Sequence, residues 1–356
     1  GTVVNRQGLI ETVQSGIPRI DFLNNTKGAL LLEPQSSNLV ITSDTGVYGS
    51  SPASEISAIS PDGTNNAVIP VPSNSSNRYQ QSIAAGVYSS GQKLTYSWYR
   101  KRISTPVNDT YIGDLRFNQL VNVTIFENTT QIQTNINGFD RFQVVIQITD
   151  GSLSSIFRAY FGGVIGTGNS SIAYWGHQFE VLSYATSLIN TQGSTVTRVQ
   201  EVCNNGGNAS TFNDSEGVLY VEVKGFQEVP DSKGYIAISD STVSFDNAVT
   251  MQFRNNGDLR IYFGGSASSN IQFLDANINF TDNNKIAAQY DSIGSNYKLF
   301  VNGVSIARYV QATNQSVSGL SELNLNYGTL EFVGNVKDVR VYNTFLTDSQ
   351  LIALTT

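Results

Sequence analysis

Residues 297–306 of the chain read YKLFVNGVSI. Asn302 and Gly303 supply the positive φ angles of a type I′ turn, whose twist matches that of the strands on either side. The apolar residues that flank the turn are therefore predicted to pair as a tight β-hairpin. This local prediction makes the C-terminal part of the chain a β-structure.

A second strand is predicted in residues 332–343, which read FVGNVKDVRVYN. Val339 and Val341 alternate with charged residues, as in a strand with one buried and one solvated face. Thr347 and Gln350 then have the spacing of a capping box, which predicts that a short helix begins at Thr347. The chain is thus expected to end in a strand followed by a helix.

The composition extends the β prediction to the whole chain. Its 356 residues include 17 Tyr and 18 Phe, but charged residues make up only 14%. Gly, Asn, Ser and Thr fill the gaps between short apolar runs, which is typical of strands separated by turns. The length accommodates two domains of ordinary size, so we predict an all-β protein of two domains.

Charge and cysteine content argue against several classes of function. The net charge is −7 and only 21 residues are Lys or Arg, so no nucleic-acid partner is expected. Cys203 is the only cysteine, so no intrachain disulfide can form. No apolar run reaches the roughly 18 residues of a membrane-spanning helix, so no membrane insertion is predicted.

Short strings of residues mark both halves of the chain. The first half begins and ends with these strings: QGLIETV (7–13), IPRIDF (17–22), GALLLEPQ (28–35), NLV (38–40), YWGHQFEVLSYATS (174–187) and VTR (196–198). The second half opens with FNDSEGVLYVE at residues 212–222.

These strings resemble those of bacteriophage tail-fibre and spike-type appendage proteins. In that family a GLIE…PRIDY…LLLEPQ.TNL string precedes a carbohydrate-binding-module-like jelly roll, which ends in WGAQLE.GSYATSYIPT. The chain departs from this pattern at His177, where the family has a small residue, and at residues 188–190, which replace Tyr-Ile-Pro. The C-terminal stretches resemble the end of a laminin-G-like, concanavalin-A-like jelly roll.

The resemblance implies two tandem jelly-roll β-sandwiches followed by a short C-terminal helix. The expected bounds are an N-terminal arm at 1–28, a carbohydrate-binding-module-like jelly roll at 29–192 and a laminin-G/concanavalin-A-like jelly roll at 193–356.

No catalytic residue is predicted. A glycosidase needs two carboxylates at a cleft, but Glu216 and Glu222 are separated by roughly 20 Å of strand at about 3.3 Å per residue. His177, the only histidine, is expected to be structural and to lie on the same side of its strand as Trp175. Cys203 has no histidine near it in the sequence that could activate a thiol nucleophile.

Calcium is the one cofactor that the resemblance raises. Laminin-G-like domains often bind Ca²⁺ through Asp, Asn and carbonyl oxygens of rim loops, which here implies Asp240, Asp246 and Asp258. None of them belongs to an EF-hand-like string, and ordinary turn carboxylates are the alternative.

Sugar sites combine an exposed aromatic ring with amide and carboxylate partners. The candidates are Trp98, Tyr99 and Tyr174 in the first domain, and Tyr262 and Tyr309 in the second. Neighbours on a strand point to opposite faces, so one of Trp98 and Tyr99 is predicted to be buried and the other available. The same holds for Tyr174 and Trp175. Packing in a core or between subunits is the alternative for each ring.

The predicted function is that of a virion appendage, a fibre, spike or capsid decoration on the phage surface. Its expected partners are other virion proteins and a bacterial surface glycan, and the expected oligomer is a trimer. Two alternatives remain open, a depolymerase of surface polysaccharide and a purely structural spacer without a ligand.

Overall fold

The structure is a computed structural model that describes most of the chain. The described residues are 1–44, 47–48, 54–71, 79–82, 86–103, 116–117, 123–149, 153–155, 158–161, 172–226, 234–242, 247–254, 258–264, 271–293, 296–307, 316–326 and 332–356. For some strand residues, including 123–128, 258 and 271–277, the description covers the backbone alone.

The described residues form short strands and one helix. Residues 1–44 contribute β1 (Thr2–Val4), β2 (Ile10–Thr12), β3 (Ile20–Asp21), β4 (Ala29–Leu32) and β5 (Ser36–Asn38). Residues 47–198 contribute β6 (Val47–Tyr48), β7 (Ser54–Ala58), β8 (Ala67–Val71), β9 (Tyr79–Ser82), β10 (Gly86–Tyr88), β11 (Lys93–Arg102), β12 (Arg116–Phe117), β13 (Val123–Ile136), β14 (Phe139–Ile148), β15 (Leu153–Ser155), β16 (Arg158–Phe161), β17 (Ile172–Glu180) and β18 (Val196–Arg198). Residues 216–342 contribute β19 (Glu216–Gly225), β20 (Gly234–Ser239), β21 (Ala248–Phe253), β22 (Asp258–Phe263), β23 (Ile271–Asn277), β24 (Asn284–Asp291), β25 (Lys298–Val301), β26 (Val304–Ile306), β27 (Glu322–Asn324) and β28 (Gly334–Tyr342). The chain ends in helix α1 (Asp348–Thr355).

The chain divides into two compact units, and its N-terminal segment contributes to both. Unit 1 comprises Gly1–Thr26 and Gln35–Val199, and unit 2 comprises Lys27–Pro34 and Gln200–Thr356. Strand β4 belongs to unit 2 because residues 30–32 pair with residues 334–336 of β28. The predicted bounds at 28, 29 and 192 are corrected accordingly, since a strand close to the N-terminus completes the C-terminal sheet.

The six-stranded sheet of unit 1 is buried on both faces. Its strand order is β13-β14-β11-β17-β8-β7. Trp98 packs in the core cluster on one face, whereas Tyr99 and Trp175 pack on the other face against Val4 and Ile10. The first residues of the chain are therefore part of unit 1 and cover the second face of its sheet. An arm outside the domain, as predicted for residues 1–28, is not what the structure shows.

A β-bulge in β17 changes which of its residues share a face. The register between β17 and β11 shifts opposite this point, and Gly176 adopts a left-handed φ of 63°. Trp175 therefore packs beside the N-terminal segment, while the ring of His177 lies 6.2 Å from that of Tyr96 on the other face. The prediction that His177 and Trp175 share a side is wrong, because the bulge interrupts the alternation.

The side chain of Asn38, in the NLV string, makes hydrogen bonds to segments that are distant in the sequence. Its side-chain amide donates to the carbonyls of His177 at 3.1 Å and Ile189 at 2.9 Å. Its Oδ1 accepts from the backbone N–H groups of Val40 and Phe179. The asparagine is fully buried, so the fold itself requires this residue type at this position.

Glu180, from the closing string, is a second buried polar centre. Its carboxylate accepts hydrogen bonds from the Ser36 hydroxyl, the Gln178 amide and both the backbone N–H and the hydroxyl of Thr186. Arg198, in the VTR string, donates in turn to the Thr186 hydroxyl at 3.1 Å. The strings of the first half thus build one polar network that closes unit 1.

Unit 2 is a sandwich of two antiparallel sheets. The orders within the unit are β26-β25-β24-β19-β28-β4 and β23-β22-β21-β20-β27. Leu219, Ile236, Met251 and Ile261 are fully buried between the two sheets and alternate with outward-facing residues. The predicted all-β, jelly-roll architecture with one short C-terminal helix is confirmed.

The terminal hairpin and helix form as predicted. Asn302 and Gly303 have φ angles of 49° and 80° between β25 and β26. Thr347 caps α1, with the Gln350 N–H donating to the Thr347 hydroxyl and the Gln350 side chain accepting from the Thr347 N–H. Buried Leu351 packs α1 on the outer face of the six-stranded sheet of unit 2. No helix in the described part of the chain is long and apolar enough to cross a bilayer.

Candidate functional site

The outer face of the five-stranded sheet of unit 2 is the candidate site. In β21 the apolar residues Val249, Met251 and Phe253 point into the core, so the residues between them point outwards. The same alternation in the neighbouring strands completes a surface that we call the polar face, defined by Tyr235, Thr250, Gln252, Arg260, Tyr262 and Asn324. Helix α1 lies on the other sheet, so it does not cover this one.

Strand register arranges the polar face in rows. Thr250 of β21 lies opposite Tyr262 of β22, and Gln252 lies opposite Arg260. On the other side of β21, Gln252 also lies opposite Tyr235 of β20. Residues paired in this way on one face are direct neighbours, so the face brings together two phenols, an amide, a hydroxyl and a guanidinium.

Hydrogen bonds fix the Gln252 side chain between the two tyrosines. Its Nε2 donates to the Tyr235 hydroxyl at 2.7 Å, and its Oε1 accepts from the Tyr262 hydroxyl at 2.9 Å. Burial, reinforced by the neighbouring Tyr262, raises the pKa of Tyr235 above its ordinary value. The Tyr235 phenol therefore stays neutral at physiological pH, and the three side chains form a pre-organised ladder.

Small buried residues form the floor of the polar face. Ala237, Ala248 and Thr250 are 0% exposed. Tyr262 and Arg260 on β22 are half-buried and larger, so they rise above this floor. Groups that are 0% exposed offer a ligand no surface, so the part of the polar face that a ligand can contact consists of the half-buried Tyr262 and Arg260.

The structure separates the predicted sugar-binding aromatics. Tyr262 lies on the polar face and is half-buried, whereas Trp98, Tyr99 and Tyr174 are at most 2% exposed. We predicted that one ring of Trp98 and Tyr99, and one of Tyr174 and Trp175, would be exposed to a sugar. That prediction is wrong, because both faces of their sheet are covered and all four rings are buried. Tyr309 lies outside the described residues.

Asp240, the calcium candidate whose side chain is described, has the bonding of a turn residue. Its Oδ1 accepts from the N–H and hydroxyl of Thr242 at 3.0 and 2.6 Å, and its Oδ2 accepts from the Asn247 amide at 3.1 Å. Burial by itself raises the pKa of Asp240, but these hydrogen bonds outweigh it, so the pKa lies below its usual value. Such use of both oxygens is typical of an Asx-type turn.

The other calcium candidates stay predictions. Asp246 lies outside the described residues, and Asp258, at the start of β22, is described by its backbone alone. Within the described part of the chain, no three His, Cys, Asp or Glu side chains come together as metal ligands would.

Glu216 and Glu222 lie on β19, away from the polar face. The Glu222 carboxylate accepts a hydrogen bond from the Asn283 amide at 2.7 Å and lies 3.8 Å from the Lys337 ammonium. The two glutamates occupy the two ends of the strand's outer face, so the geometry does not bring them together as a catalytic pair would require.

His177 and Cys203 have the surroundings of structural residues. His177 is 0% exposed, its Nδ1 lies 3.0 Å from the Tyr96 hydroxyl, and burial lowers its pKa to about 3. A neutral ring enclosed in the core has no access to a substrate. Partial burial raises the pKa of the Cys203 thiol, which disfavours the nucleophilic thiolate.

Sequence reasoning found Tyr262 but missed its neighbours. Tyr235, Thr250, Gln252 and Arg260 lie on three strands, and only the register brings them together. The strings AVTMQF and DLRIYF do show strict alternation of apolar and polar residues. That alternation was a usable signal for an outward face, although it names no ligand.

A comparison with protein families gives one match. Residues 226–352 match the family model of the concanavalin A-like lectin/glucanases superfamily. The second unit therefore has the concanavalin A-like, laminin G-type fold. No curated protein matches the chain significantly.

Several solved structures are similar at low identity. The carbohydrate-binding module CBM40 of the Ruminococcus gnavus IT-sialidase, bound to α2,3-sialyllactose, is 20% identical over 44% of this chain and 97% of its own, with a TM-score of 0.35. The heptameric SAP-like pentraxin of Limulus polyphemus is 13% identical over 43% and 74%, with a TM-score of 0.34. Domains LG4-5 of the mouse laminin alpha1 chain are 9% identical over 93% and 92%, with a TM-score of 0.28. These TM-scores are too low to support an argument about this chain.

Proposed function

We propose that the protein binds glycans on the polar face of unit 2 and does not cleave them. The observation that carries this proposal is the Tyr235–Gln252–Tyr262 ladder, in which the half-buried ring of Tyr262 is held by hydrogen bonds to Gln252. Sugar sites combine an aromatic surface with fixed hydrogen-bonding groups, and here both are set in place before a ligand arrives.

The charge on the face favours binding over hydrolysis. The six residues that define the polar face include no carboxylate, and Glu322, two positions before Asn324 on β27, is the one described carboxylate beside them. Glycoside hydrolysis ordinarily needs two carboxyl groups at a defined separation. A depolymerase on this face would therefore lack half of its catalytic machinery among the described residues.

We further propose that the protein is a bacteriophage virion appendage on the particle surface, assembled as a trimer with other virion proteins. The support comes from the strings of the first half, which resemble those of tail-fibre and spike proteins. Asn38, Glu180 and Arg198 of those strings form the buried polar network of unit 1. These residues stabilise the fold of unit 1, and the virion role is supported by the resemblance of the strings. Gold-labelled antibodies on purified particles would test the location of the protein.

Glycan binding can be tested on an array of bacterial surface oligosaccharides. The wild-type chain is expected to bind a subset of glycans, and Tyr262→Ala is expected to weaken that binding at least about 10-fold, since aromatic stacking and the ladder are both lost. Phe345→Ala is the matched control, because Phe345 is exposed elsewhere on unit 2 and should bind like wild type.

The same proteins and glycans distinguish the proposed binding function from a depolymerase and from a structural spacer. Reducing ends released from a bound polysaccharide would contradict binding without cleavage and favour a depolymerase. An absence of binding, both on the array and to host cells, would favour the structural spacer.

A further inference from the structure

Three buried side chains at the end of β17 bring a hydroxyl, an amide and a carboxylate together. Gln178 and Glu180 lie two positions apart on this strand and therefore share a face, and Thr186 lies in the segment that follows. All three residues are at most 1% exposed. A hydroxyl nucleophile, a carboxylate base and a carbonyl electrophile are the groups that an acyl-transfer reaction needs.

The Thr186 hydroxyl is placed to lose its proton. It donates to Glu180 Oε1 at 2.5 Å, which is the contact that a nucleophile makes with its general base. Arg198 Nη1 donates to the same hydroxyl oxygen at 3.1 Å. A positive charge at this distance stabilises the negative charge that the oxygen gains as its proton leaves.

The Gln178 amide is held beside this hydroxyl. Its Nε2 lies 3.5 Å from Thr186 Oγ1, a long distance for a hydrogen bond but one at which reacting groups are held in enzymes. Its Oε1 accepts from the Ile189 N–H at 2.6 Å. A backbone N–H in this position stabilises the oxyanion that forms when the amide carbon is attacked.

Glu180 also contacts the nitrogen that would leave. Gln178 Nε2 donates to Glu180 Oε2 at 2.7 Å, so one carboxyl group lies within hydrogen-bond distance of both the nucleophile and the leaving group. A carboxyl group in this position can accept a proton from the hydroxyl and return it to the nitrogen.

We propose that Thr186 and Gln178 form an ester bond that cross-links unit 1. Thr186 Oγ1 attacks Gln178 Cδ, the new C–O bond forms and the Cδ–Nε2 bond breaks. Glu180 takes the hydroxyl proton and passes it to Nε2, so that ammonia leaves and the carboxylate is regenerated. The reaction needs no other reactant, and the structure shows the side chains before the bond forms.

Burial favours the product as well as the reaction. The departing ammonia diffuses away, and the enclosed ester is kept from the water that would hydrolyse it. The cross-link joins the end of β17 to the segment after it by a covalent bond. This inference is independent of the proposed glycan binding, which concerns unit 2.

Thr191 shows the different surroundings of a buried threonine that has no such role. It is 1% exposed, and its hydroxyl donates to the Val40 carbonyl at 2.8 Å. A backbone carbonyl is too weak a base to take the hydroxyl proton, so Thr191 is the matched control for Thr186.

The test is the intact mass of the purified full chain, measured by mass spectrometry. Wild type is expected to be lighter than its sequence requires by one ammonia molecule. Trypsin releases residues 159–198 as one peptide that contains both partners, and fragmentation should place the loss between Gln178 and Thr186. Mild alkali should hydrolyse the ester and remove the cross-link. A wild-type chain of full mass would overturn the proposal, and this result does not depend on any variant.

Substitutions identify the nucleophile. Thr186→Val should have the full mass that its sequence requires, whereas Thr186→Ser, which keeps a hydroxyl, and the control Thr191→Val should both lack one ammonia. A succinimide at Asn302-Gly303 would cause the same loss of mass. A loss that persists in Thr186→Val would therefore come from such a site and would overturn the assignment of Thr186.

Discussion

Glu180 and Thr186 are joined by two hydrogen bonds, because the backbone N–H and the hydroxyl of Thr186 both donate to the one buried carboxylate. The pair closes the corner between β17 and the segment that follows it. Ser36 and Gln178 donate to the same carboxylate. The Glu180 carboxylate therefore accepts four hydrogen bonds, and the corner depends on them.

Glu180→Gln should destabilise unit 1 by about 2–4 kcal/mol, because the amide nitrogen cannot accept and leaves buried donors unpaired. Both tryptophans of the chain, Trp98 and Trp175, lie in unit 1. Denaturation followed by tryptophan fluorescence therefore reports on this unit. Glu11→Gln, at an exposed position of β2, should change the free energy of unfolding little. Equal effects of the two changes would contradict the structural role of Glu180.

Gly176→Ala should destabilise unit 1 more than Gly8→Ala. Both glycines have left-handed φ angles, 63° and 78°, so both changes carry the conformational cost of about 1–2 kcal/mol. A Cβ at Gly176 would also lie 2.8 Å from Tyr99 Cδ2, whereas one at Gly8 meets nothing within 4 Å. Tyr99 is held by a hydrogen bond to Gln133, so the overlap should add about 1–3 kcal/mol.

The measurement for both glycine variants is the same fluorescence-detected denaturation. Indistinguishable values for Gly176→Ala and Gly8→Ala would mean that the bulge has room for a side chain, against the packing described here.

Burial of His177 should make unit 1 less stable in acid. Burial lowers its pKa to about 3 in the folded state, while the unfolded chain has the ordinary value of about 6.5. The unfolded state therefore binds the proton first, so this contribution to stability is complete above pH 6.5 and is lost as the pH falls towards 3. The expected slope is about 1.4 kcal/mol per pH unit in that window.

His177→Gln isolates the histidine from the carboxylates that also titrate in acid. The variant should be less stable than wild type at pH 7, but its free energy of unfolding should fall less steeply between pH 6.5 and 4. Parallel pH profiles for the two proteins would show that His177 is protonated in the folded state.

Thr250→Val should stabilise the unliganded protein by about 1 kcal/mol, because it removes a buried hydroxyl without a partner. Thr355→Val is the matched control in the same unit, since the buried Thr355 hydroxyl donates to the Leu351 carbonyl at 2.8 Å. That variant should be destabilised by about 1 kcal/mol. Calorimetric unfolding compares the two, and destabilisation by Thr250→Val would imply a hydrogen bond that the hydroxyl makes in the free protein.

Local chemistry made part of the fold predictable. The Asn302-Gly303 turn and the Thr347–Gln350 capping box depend on residues within a few positions of one another, and both form as predicted. The burial of both Trp98 and Tyr99 does not depend on near neighbours. It requires Val4 and Ile10 from the start of the chain, which alternation within one strand cannot reveal.

The candidate site was less predictable than the fold, because the register between strands determines which side chains lie together on the polar face. Tyr262 could be chosen as an aromatic, but its partner Gln252 lies on another strand and Tyr235 on a third. The bulge at Gly176 similarly reverses the side that His177 occupies. Sequence patterns therefore predicted the elements, while the pairing of strands determined which side chains share a surface.

Hydrogen–deuterium exchange of the full chain tests the central claim most directly, measured with and without the array glycan that it binds most tightly. Binding at the polar face predicts ligand-dependent protection in residues 234–239, 248–253 and 258–263 of unit 2, and none in β11 or β17 of unit 1. Protection confined to unit 1, or to helix α1 and the sheet beneath it, would contradict the assignment of the glycan site to the polar face.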